Sequence, residues 1–431
     1  NYGSFLQAYS LKNTIERMGH EGEFVDYEIE PPVVPNPNKD YEPPKRKNVV
    51  QKAINYVWEN RSPKSRKIRK YNRYLMNLGK DFRELYFPLL GIKEERNPRA
   101  KEDVIVIGSD EVFNCLQTNP DVGYSRQLFG KDANAKKVMS YAASFGTTTV
   151  EGLEKYGIKE EVAELLKKMS NISVRDKNSV AVIKDLVGID PEYHVDPVFL
   201  CDYEGMIPSS VPMKDYFIVY GYKDRITEEE AEEINAFAKK KGKKIITIGQ
   251  KQRLEWEHIQ PSPFEVLAYF QHADYILTDT FHGSVFSIKY GKKFATIIRD
   301  ANSQKLSDLL KRFGLEDRIL GSIKDMEQII TTDFDYDRVK QQIEEITAKL
   351  KEIDDLKIHL QKLEQYKNSS ESYAKKIEFS AYDDKGKLST EGSCDLLSAN
   401  TDTEVYTLFD NIEVFSSEDN TKFYADSLKW N

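Results

Sequence analysis

Short apolar, β-branched runs alternate with stretches of helical period for about 330 residues. Runs at Asp103–Ser109, Lys137–Ala142, Ile172–Arg175, Tyr193–Val198, Tyr216–Tyr220, Lys244–Ile248, Tyr275–Asp279 and Phe294–Ile298 predict strands. Between them Glu151–Met169, Lys177–Val187, Glu228–Lys241, Pro263–His272 and Asn302–Phe313 predict helices, and Val285–Tyr290 predicts one more. This alternation predicts an α/β fold with parallel sheets covered on both faces. Several runs are almost continuously apolar, as strands buried on both faces should be. Gly205, Pro208 and Pro212 interrupt the series and predict a domain boundary. The expected organisation is a Rossmann-like domain over residues 1–205 with a helical insertion at 45–85, and a second over 206–332. A ligand would lie in the cleft between them, beyond the carboxyl ends of the strands.

The ends of the chain depart from this alternation. Asn1-Tyr2-Gly3 leads directly into a helix whose Phe5, Leu6, Ala8, Tyr9, Leu11, Ile15 and Met18 form an apolar face, ended by Gly19. A loop of this kind follows a buried strand in an α/β unit. The expectation is therefore an N-terminal sheet with its first strand missing, in a chain shortened at its start. Over 333–366 the pattern predicts a long amphipathic helix, with Val339, Ile346, Ile353 and Leu360 seven residues apart. Residues 367–431 predict a β-rich tail with runs at Ile377–Tyr382, Val405–Leu408, Ile412–Phe415 and Lys422–Ala425, and a turn at Asp384-Lys385-Gly386.

Composition narrows the classes. With 63 basic and 71 acidic residues the net charge is −8, which argues against nucleic acid as a partner of the whole chain. Three scattered cysteines, Cys115, Cys201 and Cys394, give neither a disulfide framework nor a metal-ligand spacing. No apolar run has the ~18 residues of a membrane span, and no charged-then-apolar leader opens the chain. A cytoplasmic protein is expected. Residues 45–73 are strongly basic, with Glu59 their lone acid. They read either as a peripheral contact with an anionic acceptor or the inner membrane face, or as a solvated helical insertion over Tyr56, Trp58, Tyr71 and Leu75.

Candidate chemistry gathers at strand ends. His282 lies between the strand ending at Asp279 and the following helix, flanked by Thr280, Gly283 and Ser284. A helix amino end suits an anion, and a histidine there can exchange a proton near neutral pH. Ser109, Asp110 and Asn114 follow Gly108 at the end of another strand. Arg175 ends a third, where its guanidinium could pair with phosphate or carboxylate. Structural alternatives stand beside each: a helix cap at His282, an ordinary turn at Ser109-Asp110, an internal ion pair at Arg175. No Gly-x-Gly-x-x-Gly or Walker loop and no His/Cys cluster occurs, so no cofactor or metal is expected.

Together, Asn1-Tyr2-Gly3-Ser4-Phe5-Leu6-Gln7-Ala8-Tyr9, Gly108-Ser109-Asp110-Glu111-Val112-Phe113-Asn114, Ser140-Tyr141-Ala142-Ala143-Ser144-Phe145-Gly146, Ser173-Val174-Arg175-Asp176, Asp196-Pro197 and Thr280-Phe281-His282-Gly283 resemble the polysaccharide pyruvyl transferases, in the family's order. The resemblance runs from residue 1 to about 340. It implies two domains arranged like the glycosyltransferase-B enzymes and phosphoenolpyruvate as donor substrate. A sugar or lipid-linked saccharide is the implied acceptor. It places His282 and Arg175 at the positions associated with donor binding and catalysis. On the residues' own chemistry His282 is the expected proton donor and Asp110 the group at the acceptor, with Tyr2, Gly3, Ser109, Asn114, Thr280, Gly283 and Ser284 as binding residues. Thr280 stands where many members carry arginine, and Phe113 where tryptophan is common. A nucleotide-sugar glycosyltransferase and a non-catalytic, envelope-associated fusion are the alternatives. The tail lies outside the resemblance and is loosely similar to a β-jellyroll of periplasmic lipopolysaccharide-transport proteins.

Overall fold

The computed structural model describes residues 2–35, 82–92, 101–117, 123–203, 205–223, 225–253, 255–299 and 303–347, and four strands between 371 and 430. The basic segment 45–73 and the part of the expected long helix beyond residue 347 lie outside the described residues. The chain divides into two compact units, Asn1–Thr347 and Ala348–Asn431.

The larger unit holds two all-parallel sheets. β1 (Glu102–Asp110), β2 (Ala135–Ala143), β3 (Ser173–Val174) and β4 (Glu192–Tyr193) lie side by side in chain order. The second sheet takes β5 (Tyr216–Tyr220), β6 (Lys244–Ile248), β7 (Glu257–Ile259), β8 (Tyr275–Thr278), β9 (Phe294–Ile297) and β10 (Ile319–Leu320) in the order β10-β9-β8-β5-β6-β7. Alternation along β5 explains why its whole run is apolar. Tyr216, Ile218 and Tyr220 enter one core while Phe217 and Val219 enter the core on the opposite face. Strands β7 and β10 escape a hydrophobic-pattern reading because each is short and its residues are mostly half-buried.

Three boundaries differ from the pattern. The helix expected over Glu151–Met169 is two, α3 (Val150–Lys155) and α4 (Lys159–Lys167), split where Gly157 takes φ 68°. The run Tyr193–Val198 yields only β4, because Pro197 lacks an N–H and Asp196 instead caps the short turn Pro197–Phe199. The helix read from Val285 starts four residues earlier, as α8 (Phe281–Lys289), so His282 belongs to its first turn. By contrast α5 (Lys177–Val187), α6 (Glu228–Lys241) and α7 (Pro263–His272) keep the bounds that periodicity gives. Asp176, Thr227 and Ser262 cap them through side-chain oxygens. Three shorter pieces, α2 (82–90), α9 (Ser303–Arg312) and α10 (Met326–Thr331), complete the surround with α11 (336–347).

Helix α1 (Tyr2–Arg17) has an unexpected partner. Its apolar face covers no sheet of the first half but packs across the seam, with Phe5 edge-on to Phe264 of α7 at 6.1 Å and to Phe82 of α2 at 5.8 Å. Tyr2, Phe5 and Leu6 join a core with Val198, Phe199, Ile248, Phe264 and Phe286. The two halves therefore share apolar packing. Helix α11 closes the same core through Val339, with Ile343 and Ile346 beside it.

In the smaller unit β11 (Glu371–Tyr382), β12 (Leu388–Asn400), β13 (Val405–Ser416) and β14 (Thr421–Trp430) form an antiparallel meander. The two apolar runs Val405–Leu408 and Ile412–Phe415 belong to one strand, β13, whose register shifts between Phe409 and Ile412. Strand β12 was illegible because Ser, Thr, Glu and Gly fill most of its first half.

Leu6 is fully buried at the seam. Leu6→Ala should lower the unfolding free energy by about 2–5 kcal/mol, the usual cost of emptying a leucine site, read from urea denaturation.

Candidate functional site

Four loops and one helix face meet around the carboxylate of Asp196. Asp196 precedes Pro197, accepts a bond from Val198 N (3.0 Å), and its side chain is fully buried. Its Oδ2 receives Gln7 Nε2 at 2.5 Å and lies 3.4 Å from Arg175 Nη1 and 3.6 Å from His282 Nε2. Arg175 follows β3, and its Nη2 reaches Asp110 Oδ1 at 2.6 Å while the guanidinium sits 4.5 Å over the Phe281 ring. Asp110 ends β1 with φ 84°, a left-handed conformation costly for any residue but glycine. That turn points its carboxyl at Arg175, across from β3. Arg175 and His282, placed 107 positions apart, thus share one acid across the cleft.

Helix α1 contributes through a second face. Positions 3, 7 and 10 fall on one side of a helix. A Cβ at Gly3 would stand 2.4 Å from His282 Cγ and Nδ1, so only glycine lets the helix backbone meet the imidazole. One turn on, Gln7 Nε2 bridges Asp196 and Ser109 Oγ (3.2 Å), and Ser109 Oγ donates to Ala142 O at 2.9 Å. Ser10 Oγ pairs with the Tyr203 hydroxyl at 2.6 Å.

The remaining sequence candidates are occupied structurally. Thr280 caps α8, its Oγ1 accepting from Gly283 N at 3.0 Å. Gly283 packs on β8, where a Cβ would be 2.1 Å from Thr278 Oγ1. Ser284 Oγ donates to Thr280 O (3.3 Å) and lies 3.1 Å from Thr296 Oγ1, away from the cluster. Asn114 Nδ2 donates to Glu111 Oε2 (2.9 Å) and its Oδ1 accepts from Thr148 Oγ1 (3.0 Å). The Tyr2 hydroxyl is held by Pro261 O at 2.7 Å and Gln260 Oε1 at 3.0 Å. Lys305 on α9, unremarked in the sequence, binds Glu111 Oε1 at 2.7 Å across the halves. Nothing in the chain pattern marks it, since it is one lysine on an amphipathic helix.

Charge inside the cluster is nearly matched. Burial raises the Asp110 carboxyl, but Arg175, His282 and Lys305 outweigh it and hold the group below the usual carboxylate range. Burial likewise disfavours the Arg175 cation, and Asp110 with Asp196 overcomes it, raising its pKa. For His282 burial wins. Its pKa lies below the ordinary value although Asp196 and Asp110 pull it up, so the imidazole is neutral at pH 7. Its Nε2 is buried with no hydrogen-bond partner. Among the described residues, no group of three or more His, Cys, Asp or Glu side chains is placed to hold a metal ion, and no helix is long and apolar enough to cross a membrane.

Two outcomes follow for this cluster. Arg175→Met would strand the buried Asp196 carboxylate and should cost about 3–5 kcal/mol of stability, the usual result of breaking a buried pair, measured by chemical denaturation. Removing Asp196's charge by Asp196→Asn should move the His282 titration still lower, followed by NMR of the ring protons. Because the native pKa is below the unfolded one, His282 withdraws stability as pH falls through the unfolded value near ~6.5. Asp196→Asn should steepen that loss.

The sequence profile of the polysaccharide pyruvyl transferases matches residues 1–301. A search of curated proteins gives no significant match. Among solved structures, a mutant O-GlcNAc transferase of Thermobaculum terrenum aligns at 13% identity and TM-score 0.34, over 57% of this chain and 49% of its own. The kitacinnamycin glycotransferase aligns at 10% identity and TM-score 0.34, over 57% and 72%. The Streptococcus pneumoniae accessory secretory protein 1, 2 and 3 structure aligns at 10% identity and TM-score 0.34, over 67% and 55%. This chain thus spans about half the length of the first. Likeness this slight does not bear on chemistry. The profile match covers well over half of the chain, and the chain belongs to the polysaccharide pyruvyl transferase family.

Proposed function

We propose that this transferase moves the enolpyruvyl group of phosphoenolpyruvate onto a sugar hydroxyl of a surface polysaccharide or its precursor. The observation that carries the reading is the sharing of Asp196 by His282 and Arg175 in the cleft between the two halves. A proton donor and a cation set side by side suit a donor that must be protonated on carbon while its phosphate and carboxylate are held.

Arg175 is neutralised in the free protein, so the donor has to exchange for one of its acids. Asp110 is the exchangeable one: its side chain is 42% exposed, whereas that of Asp196 is fully buried. Donor carboxylate or phosphate replaces Asp110 on the guanidinium and leaves Asp110 facing the acceptor hydroxyl. Freed from Arg175, Asp110 loses the partner that most depresses its pKa and becomes a better proton acceptor. The arriving negative charge also raises the pKa of His282, which takes up a proton as the donor binds.

The chemistry then closes in balance. His282 gives its proton to the methylene carbon of phosphoenolpyruvate, creating a cation stabilised by the adjacent oxygen. The sugar oxygen bonds to that carbon as its proton passes to Asp110. Inorganic phosphate leaves from the tetrahedral adduct. Loss of a methyl proton then yields an enol ether, or attack by a second hydroxyl of the same sugar yields a ketal. Gly3 and Gln7 position the imidazole and Asp196 and touch no reacting atom. The expected location is cytoplasmic, where phosphoenolpyruvate is available, with residues 45–73 as a contact for an anionic, lipid-linked acceptor.

Purified protein should release phosphate from phosphoenolpyruvate in the presence of an acceptor saccharide, and should not consume nucleotide sugars. His282→Ala should reduce that turnover ~10²–10⁴-fold, the range for a lost general acid. Undiminished turnover in this variant, or turnover only with a nucleotide sugar, would overturn the assignment.

A further inference from the structure

The second sheet carries another polar cluster at its carboxyl edge, apart from the Asp196 site. Adjacent strands β9, β8, β5 and β6 each deliver residues to it. Asp279 follows β8 with its side chain 1% exposed, its Oδ1 accepting from Tyr222 N at 3.2 Å. Its Oδ2 lies 3.7 Å from Arg225 Nη1 and 3.8 Å from Arg299 Nε. Arg299, after β9, also grips Glu230 at 2.9 and 3.0 Å. Gln252, after β6, donates from Nε2 to Gly221 O at 2.8 Å. A Cβ at Gly221 would stand 2.9 Å from Asp279 Oδ1 and 3.5 Å from Gln252 Nε2, so the bare backbone admits both side chains.

One polar atom each on Gln252 and Arg225 makes no hydrogen bond among the described residues. Gln252 is 8% exposed, yet its Oε1 is buried without a partner. Arg225 Nη1 is buried without one as well. One is an acceptor and the other a donor, and leaving either unmet is costly. Above them Tyr222 remains 41% exposed, with the Arg225 guanidinium 4.5 Å over its ring. The Arg225 and Arg299 side chains are 34% and 25% exposed, so the cluster opens to solvent on that side.

We propose that this strand-end cluster is a saccharide subsite that holds one pyranose ring of the acceptor beside His282. A sugar hydroxyl both donates and accepts, and so answers an orphaned donor and an orphaned acceptor together. The apolar C–H face of a pyranose can lie on an exposed tyrosine ring. Asp279 and Glu230 offset the charges of Arg225 and Arg299. Burial outweighs both arginines and raises the Asp279 carboxyl, which suits hydroxyl partners better than ionic ones. Asp279 is three residues from His282, at most ~11 Å along the chain, a span that one or two sugar rings cover. The assignment of the bound sugar as acceptor rests on the pyruvyl-transfer reading. The subsite itself rests on the cluster.

The test uses the intact chain without donor. Saturation-transfer NMR is recorded with methyl glycosides of galactose, glucose, N-acetylglucosamine and N-acetylmannosamine, and with inorganic phosphate as a separate probe. Phosphoenolpyruvate binding is followed by calorimetry. At least one glycoside should bind the wild type, and Tyr222→Ala and Gln252→Met should each weaken it by about tenfold or more, the equivalent of ~1.4 kcal/mol. Donor affinity should stay unchanged in both. Tyr222 is exposed, so its variant should fold normally and isolates the stacking contact. Absence of glycoside binding, binding indifferent to both substitutions, or phosphate bound in a Gln252-dependent way would overturn the subsite. Glycoside binding without phosphoenolpyruvate binding would uphold it and sink the donor reading instead.

Discussion

The buried carboxylate of Asp196 holds the site together. It is out of water, so its charge has to be answered by neighbours, and each neighbour comes from a different part of the chain. Gln7 brings the first helix, Arg175 the end of β3, His282 the start of α8, and Val198 N fixes the loop itself. One oxygen, Oδ2, is the meeting point for three of them. Ser109 and Asp110 are held at one remove, through Gln7 and Arg175. Side chains drawn from both halves are thereby held in one place by a single carboxylate.

Apolar packing sets the frame in which that carboxylate works. The core shared by α1, Phe199, Phe264 and Phe286 runs through the seam. Lys305 and Glu111 tie the halves again at the rim of the site. The cleft is thus bounded by apolar packing on one side and by ion pairs at its rim. Asp110 is the more exposed of the two acids on Arg175, its side chain 42% accessible against none for Asp196.

How legible this was depended on the kind of signal. Strands β5 and β6 and helices α5, α6 and α7 were readable to the residue, since unbroken apolar runs and side-chain caps leave sharp marks. The candidate residues at strand ends were readable for the same reason: Asp110, Arg175 and His282 each stand where a run stops. What those residues touch was not. Asp196 stood in view beside Pro197, but nothing local reveals that a carboxylate is buried. Gln7 was overshadowed by the apolar face of its own helix, though its spacing from Gly3 marks a second, polar face. Thr280, Gly283 and Ser284 were read as ligand-facing because hydroxyls and glycine near a histidine look functional. Their roles as cap, close-packing position and buried bridge emerge only once α8 begins at Phe281 rather than Val285.

Helix α1 carries an implication for how the chain reaches this state. It is synthesised before its partners: Gln7 has to find Asp196, 189 positions later, and Phe5 has to find Phe264. Until those partners are synthesised its apolar face has nowhere to go, and contacts this distant in sequence form late. The segment that completes the site is therefore packed only after the chain has been made past residue 264, and its apolar face stays uncovered until then.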